Sequence, residues 1–351
     1  MMTPLLRAFS LFILFALCVF SAQASRQVTD QLGRQVTLPD RVDRVVVLQH
    51  QTLNLLVQLD ATKKMVGILS NWKQQLGNGY ARLVPQLNTL PMLGDLTHVD
   101  LEKLVALHPQ VVFVTNYAPQ EMIDQIQDLG IAVIAISLRT DSATQHQLNP
   151  QLDNEEQAYN DGLAQGIRLI GEVVNQQKQA DALVAATFNQ RHQVADRLKD
   201  VPEKERIRVY MANPDLTTYG SGKYTGLMMA HAGAMNVAAS TVKGYKQVSM
   251  EQILAWNPQV IFVQDRYPNV IDELTQQPAW QAVDAVKNHR VYLMPEYAKA
   301  WGYPMPEAMA LGELWMAKKL YPARFADIDM QQQADSWYQR FYRTHYHGNN
   351  G

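Results

Sequence analysis

Apolar residues recur with the spacing of one helical face along the middle of the chain, from residue 175 to residue 200. Ala180, Leu183 and Val184 begin this pattern, and neither glycine nor proline interrupts it. We expect Asn175 to cap the start of the helix, and Pro202 to end it, because a proline disfavours helical geometry in the residue before it. The pattern predicts one helix of roughly 37 Å, since an α-helix rises about 1.5 Å per residue.

Two similar segments lie on either side of this helix. Residues 100–116 read DLEKLVALHPQVVFVTN and residues 249–265 read SMEQILAWNPQVIFVQD, with 7 of 17 positions identical. Each copy has a capping residue, a short amphipathic helix, a proline and a run typical of a buried strand. Ordinary α/β proteins also contain such units, but two copies 149 residues apart favour two lobes joined by the central helix, and the offset excludes a solenoid.

Strand and helix patterns alternate through the rest of the chain. Residues 27–39 alternate between polar and apolar side chains around Leu32 and Gly33, which predicts a β-hairpin. Further strands are predicted at residues 44–48, 65–69, 111–115, 132–137, 207–211, 260–264 and 291–294. An amphipathic helix is predicted at 306–320, and we expect the aromatic residues of 335–346 to pack back on the body. The predicted fold is α/β, with two lobes that each hold a mainly parallel sheet, bridged by one long helix.

The first residues have the pattern of a secretory signal peptide. Arg7 precedes an apolar run at residues 8–20, which is too short to span a bilayer and is followed by Ser-Ala-Gln-Ala. We predict cleavage after Ala24 and no lipid anchor, because Leu17 precedes Cys18 where a small residue is needed. Residues 25–154 then form the N-terminal lobe, residues 155–202 the helical linker with the bridging helix, and residues 203–351 the C-terminal lobe with the aromatic tail.

Composition narrows the class of protein further. The whole chain has 351 residues, a net charge of −2 and one cysteine. Cleavage would leave 327 residues with a net charge of −3 and no cysteine, because Arg7 and Cys18 lie in the signal peptide. The exported protein would be stabilised by core burial without disulfides, and no basic stripe for nucleic acid is present.

The ordered motifs of the mature chain resemble one family along almost its whole length. VTDQLGRQVTLP, RVVVL, LDATKKMVGI, the two repeated units, AGAMNVA and PEAMALGELWMAKKLYP together resemble periplasmic substrate-binding proteins of ABC importers for ferric siderophores, haem and cobalamin. The resemblance implies two α/β lobes with a bridging helix, a ligand in the interlobe cleft, delivery to an inner-membrane permease and a periplasmic location. A monomer without catalytic activity and without a cofactor is expected.

The residues that would dock the permease depart from the family pattern. Members often have a glutamate near the start of the first helix of each lobe, and our alignment places Asn54 and Leu227 there. Either docking uses other acids, such as Glu102 or Glu251, or the chain belongs to a divergent subgroup.

Ligands of parallel α/β sheets bind beside the carboxyl ends of the strands, so the loops after each strand supply the candidate site. These loops are rich in aromatic and basic side chains, which stack on flat chelates and bind anionic edges. The predicted ligand-binding residues are His50, Trp72, Tyr117, Arg139, Tyr219, Arg266, Tyr297, Trp301 and Tyr303. Each could instead have a structural role in the core or on the surface.

The leading hypothesis for the cargo is a metal chelate, a ferric siderophore first. Haem, cobalamin or an oxyanion such as molybdate remain alternatives. An exported hydrolase is a remote alternative, because the sequence has no G-x-S-x-G and, after cleavage, no cysteine nucleophile. No metal site of the protein itself is predicted, because the histidines form no H-x-x-x-H or H-x-E pair.

Overall fold

A computed structural model describes residues 24–77, 79–140 and 149–348. The predicted signal peptide lies outside the described residues except for Ala24, and residues 141–148 of the polar segment before the linker lie outside them as well. None of the helices within the described ranges is long and apolar enough to cross a membrane.

The first lobe is built on a five-stranded parallel sheet. Its strands are β3 (Val45–Val47), β4 (Met65–Leu69), β5 (Met92–Gly94), β6 (Val111–Thr115) and β7 (Ala132–Ile136), in the order β5-β4-β3-β6-β7. Every residue of β3 and β6 is buried, as expected for a parallel sheet covered on both faces. The predicted hairpin forms β1 (Ser25–Thr29) and β2 (Gln35–Pro39), which pair in antiparallel register.

The second lobe repeats this plan with a four-stranded parallel sheet. Its strands are β8 (Ile207–Ala212), β10 (Ala234–Asn236), β12 (Val260–Val263) and β13 (Val291–Leu293), in the order β10-β8-β12-β13. Two short strands, β9 (Thr217–Tyr219) and β11 (Tyr245–Gln247), form an antiparallel pair beside it. The prediction of a mainly parallel sheet in each lobe is therefore confirmed.

Helices cover the sheets and connect the lobes. In the first lobe they are α1 (His50–Gln58), α2 (Trp72–Leu76), α3 (Tyr80–Leu83), α4 (Leu101–Ala106) and α5 (Gln120–Asp128). Two long helices follow, α6 (Glu155–Val173) and α7 (Gln177–Leu198). The second lobe adds α8 (Tyr224–His231), α9 (Met250–Trp256), α10 (Asn269–Gln276), α11 (Asp284–Lys287), α12 (Glu313–Leu320) and α13 (Met330–Trp337).

The bridging helix α7 is present with 22 residues, but the predicted cap was wrong. Asn175 has a φ of 58° and lies in the turn between α6 and α7, where its amide donates to the backbone oxygen of Asp40 at 3.1 Å. Asparagine adopts left-handed geometry more readily than most residues, so it ends α6 and does not start α7. The two long helices pack against each other as a hairpin.

The repeated units fold alike. Asp100 accepts a hydrogen bond from the backbone N–H of Lys103 at the start of α4, and Ser249 and Gln252 form a capping box at the start of α9. Each helix is followed by a left-handed residue and a proline before the strand begins. The repeat read from the sequence is therefore also a repeat of local structure.

The carboxyl-terminal part differs in one respect from the prediction. Residues 308–312 form a π-helical turn before α12, and residues 306–317 are all buried, so this segment is a core helix and not an amphipathic one. The segment packs against α7 on one side and the aromatic tail on the other, which removes any face exposed to solvent. The tail packs back as expected, with Tyr338, Phe341, Tyr342 and Tyr346 in the core.

Candidate functional site

The loops after the parallel strands of both lobes meet between the lobes. His50 is the first residue of α1, just after β3, while Tyr117 follows β6 and Arg139 follows β7. The second lobe contributes Arg266 after β12 and the loop at residues 295–303 after β13. Seven of the nine predicted residues and Lys223 form what we call the interlobe cluster: His50, Tyr117, Arg139, Tyr219, Lys223, Arg266, Trp301 and Tyr303.

Trp301 is the centre of one half of the cluster. Its ring centroid lies 5.2 Å from that of His50 in an edge-on arrangement, and the guanidinium of Arg266 lies 5.9 Å from its centroid. Burial, with the charge of Arg266, lowers the pKa of His50 to about 3, so His50 is neutral at physiological pH. Among the described residues, neither His50 Nδ1 nor Trp301 Nε1 has a hydrogen-bond partner, although both atoms are buried.

Arg139, Lys223 and Tyr303 form the other half. Lys223 Nζ lies 5.0 Å from the ring centroid of Tyr303. Burial first, and then the charge of Arg139, lowers the pKa of Lys223 to about 8. Burial and the neighbouring Tyr117 raise the pKa of Tyr303, which keeps its hydroxyl protonated. Two cations and a hydroxyl donor therefore converge on this part of the cleft.

Close packing of the backbone brings these side chains together. A Cβ atom on Gly162 of α6 would lie 2.1 Å from the Cα of Arg139, so only glycine allows α6 to approach the loop that carries Arg139. Gly302 has a φ of 81° and faces the ring of Tyr219 in the same way. Burial raises the pKa of Tyr219 to about 12.

The two lobes touch across the cleft. Arg266 of the second lobe donates through Nη1 to the backbone oxygen of Gln75 in the first lobe at 3.5 Å, and through Nε to Gln264 at 3.0 Å. The His50 and Trp301 rings also meet across the lobes. Side chains of the two lobes therefore contact each other around the cluster.

Two predicted residues have their described contacts elsewhere. Trp72 is 2% exposed and belongs to the core of the first lobe, with Lys73 over its ring at 5.4 Å. Tyr297 is fully buried, and its ring packs against Tyr346 of the tail at 5.5 Å. An aromatic residue in a loop after a strand serves the core as readily as a ligand, and the described contacts of these two residues are with the core.

The sequence reasoning missed buried charges behind the cluster. Lys299 is 2% exposed and lies 5.1 Å from the centroid of Trp301, and Glu307 is fully buried 3.6 Å from Lys299. Burial raises the pKa of the nearby Asp265 to about 6. The aromatic run around residue 301 was a signal for Lys299, but nothing in the sequence indicated that Glu307 faces it.

Asn54 and Leu227, which stand where the family often has docking glutamates, are not fully exposed on the surface. Asn54 is fully buried and Leu227 is half-buried, so Asn54 cannot reach a partner protein. Glu102 and Glu251 are exposed in the first turns of α4 and α9, at equivalent positions of the repeat. The described parts of the chain contain no group of three or more histidine, cysteine or acidic side chains that could hold a metal ion.

Comparisons with known proteins agree with this fold. The molybdate-binding protein MolA of Haemophilus influenzae is 61% identical over 332 residues, which cover 94% of this chain and 95% of that protein. The structure of MolA bound to molybdate matches with a TM-score of 0.90 and covers 92% of this chain and 100% of that one. A periplasmic solute binding protein from Veillonella parvula, 24% identical, has the same fold with a TM-score of 0.76 and covers 92% and 94% of the two chains. A family model described as periplasmic binding protein matches residues 45–298, and the chain therefore belongs to the periplasmic binding protein family.

Proposed function

We propose that this protein is the periplasmic component of an ABC importer and that it captures molybdate, or the similar tungstate ion, between its two lobes. The observation that carries the proposal is the 61% identity, over 94% of the chain, to a protein that binds molybdate. Molybdate replaces the ferric siderophore that was the leading expectation, because a relative that is 61% identical over 94% of this chain binds molybdate.

The chemistry of the interlobe cluster supports an oxyanion. Molybdate at neutral pH is a dianion whose oxygens only accept hydrogen bonds. Arg139, Lys223 and Arg266 provide positive charge, and Trp301 Nε1 and the Tyr303 hydroxyl are donors. A guanidinium presents several N–H groups in one plane, which suits binding of oxyanion edges.

The contacts across the cleft favour a small ligand. Arg266 reaches the backbone of Gln75, and Trp301 touches His50, so side chains of the two lobes already contact each other around the cluster. A ferric siderophore would have to separate these contacts, whereas a four-oxygen anion is much smaller than such a chelate.

Docking of the permease is assigned to the repeated helices. Glu102 and Glu251 are exposed at matching positions of α4 and α9, one in each lobe. Exposed Val105 and Leu254 lie one turn further along each helix. Two similar acidic and apolar patches suit the two similar halves of a dimeric permease. Under this proposal residues 25–154 and 203–351 act as the two lobes, with residues 155–202 as the linker.

The test is a calorimetric titration and a thermal shift of the protein from Ser25 onward. Molybdate and tungstate are expected to bind saturably and to raise the melting temperature, because a ligand at 100 times its Kd stabilises the folded state by about 2.7 kcal/mol. Sulfate, phosphate, ferric citrate, haemin and cyanocobalamin complete the panel. Saturable binding of a ferric chelate without any response to molybdate would refute the proposal.

A matched pair of variants locates the site. Arg266→Gln should weaken molybdate binding by about tenfold to a hundredfold, since a hydrogen bond to a charged group contributes roughly 1.5–3 kcal/mol. The control is Arg168→Gln. The side chain of Arg168 is exposed and pairs with exposed Asp181 at 2.9 Å, and neither residue belongs to the cluster. Equal affinities of the two variants would remove Arg266 from the site.

A further inference from the structure

One face of helix α1 joins the interlobe cluster to a buried polar network. His50, Asn54 and Gln58 follow each other at intervals of four residues, so they lie along the same side of the helix. All three are buried. His50 contacts Trp301, while Asn54 and Gln58 both bind the carboxylate of Glu307 from the second lobe.

Glu307 is surrounded by donors from three parts of the chain. Asn54 Nδ2 donates to its Oε1 at 2.7 Å, and Gln58 Nε2 donates to its Oε2 at 2.8 Å. The Tyr342 hydroxyl from the carboxyl-terminal tail lies 2.7 Å from both Glu307 Oε1 and Asn54 Oδ1. Tyr80 donates to the same Asn54 oxygen at 2.7 Å. The network therefore includes the first lobe, the second lobe and the tail.

Lys299 connects this network to Trp301. Its Nζ lies 3.6 Å from Glu307 Oε1 and donates to the backbone oxygen of Glu296 at 3.0 Å. The same ammonium lies 5.1 Å from the ring centroid of Trp301 and 5.4 Å from that of Tyr80. Lys299 has a φ of 38°, and its backbone carbonyl accepts a hydrogen bond from the backbone N–H of Trp301 at 2.7 Å. A strained backbone at this position persists because the side chain is held on several sides.

We propose that the buried Lys299 and Glu307 pair is a positioning element of the anion site, which holds Trp301 against His50 and makes its position depend on α1 and the carboxyl-terminal tail. Lys299 Nζ lies 5.1 Å and the Arg266 guanidinium 5.9 Å from the centroid of the Trp301 ring, which meets the His50 ring in an edge-on arrangement. The assignment rests on the proposed function, because it takes Trp301 as a donor to the captured oxyanion.

If the pair had a purely structural role, its replacement would affect stability but not the affinity for the ligand. Replacing both members of a buried ion pair by neutral side chains of similar shape often preserves stability, whereas removing one member leaves a buried charge unpaired. The double variant Lys299→Met with Glu307→Gln therefore separates folding from positioning. A structural pair would leave affinity unchanged in this variant, whereas a positioning pair would not.

The experiment measures molybdate affinity and the fluorescence of Trp301 in the full mature protein. The Trp301 signal is the difference between each protein and the same protein with Trp301→Phe. We expect the double variant to melt close to the parent, to bind molybdate about tenfold more weakly, and to show a red-shifted Trp301 emission before any ligand is added. Parental affinity together with an unshifted emission would overturn the proposal.

Two further measurements apply if the double variant does not fold or if the parent does not bind molybdate. If the double variant does not fold, Tyr342→Phe is compared with Tyr321→Phe, whose hydroxyl donates to Gly233 at 2.7 Å away from the network. Weaker molybdate binding by Tyr342→Phe alone supports the proposal, and equal binding overturns it. If the parent itself does not bind molybdate, the proposed function fails, and the ligand-free Trp301 emission of the folded variant then decides the positioning role by itself.

Discussion

His231 lies between two carboxylates at the junction of the long helices with the second lobe. Its Nε2 is 2.6 Å from Glu156 of α6, and its Nδ1 is 2.7 Å from Glu313 of α12, which is fully buried. Arg191 of α7 pairs with both acids. Burial by itself would lower the pKa of His231, but the charge of Glu313 and the hydrogen bonds to both acids raise it to about 9.

This raised pKa makes stability depend on pH in a defined window. Between the ordinary value of 6.5 and about 9, folded His231 keeps a proton that the unfolded chain has lost, so the free energy of unfolding falls as pH rises. At about 1.4 kcal/mol per pH unit the loss is about 3 kcal/mol, complete above pH 9. The hydrogen bond with His231 also lowers the pKa of Glu156. The loss of stability is calculated from His231 alone, so that the contribution of this hydrogen bond is included once.

The assay is urea unfolding of the parent and of His231→Gln at several pH values from 6 to 9.5. We expect the variant to be less stable by about 3 kcal/mol near pH 6.5 and nearly equal to the parent at pH 9.5. Lys223 acts in the opposite direction above pH 8, where its lowered pKa adds stability, so the difference between the two proteins isolates His231. Exposed His192→Gln is the control. A parent and a variant with parallel pH profiles would refute the reasoning.

Three further predictions concern Trp301, Gly162 and the bridging helix. Trp301→Ala should lower the free energy of unfolding by about 3–5 kcal/mol in urea titration, because Trp301 is 7% exposed, and should also weaken molybdate binding. Gly162→Ala should weaken molybdate binding and cost about 1–3 kcal/mol of stability, because the new methyl would displace the backbone of Arg139, and unchanged calorimetric affinity would contradict this. Phe188→Pro should cost about 3 kcal/mol or more and reduce the helical circular dichroism signal, whereas a fully stable variant would show that α7 does not bridge the lobes as a continuous helix.

The elements of the fold could be predicted where periodicity and caps agree. The strands at residues 65–69 and 111–115 have the predicted bounds, and the capping box at Ser249 and Gln252 forms as its spacing indicates. Predictions failed where a contact distant in sequence decides the outcome. Asn175 is a turn residue because it binds Asp40, and residues 306–317 are buried because α7 and the tail cover them.

The place where the candidate residues meet could be predicted, but two of the nine predicted residues have their described contacts elsewhere. Topology places the loops after parallel strands at one edge, which brought His50, Arg139 and Arg266 together. Trp72 and Tyr297 share the same local pattern, yet their rings fill the core. Their different roles depend on packing between segments far apart in the chain, which residue type and spacing do not encode.

The contacts between the lobes have a consequence for the direction of transport. Separating the lobes would strip the Glu307 carboxylate of its amide donors and Arg266 of its contact with Gln75. Separation would expose these groups to water, and each lost hydrogen bond to a charged group costs roughly 1.5–3 kcal/mol net, so opening is opposed and, under the proposed function, a captured anion leaves slowly. Under the same proposal, docking of the permease on both lobes would supply the free energy to separate them. The step that commits the captured ion to import would then be its capture by the binding protein, before the transporter hydrolyses any nucleotide.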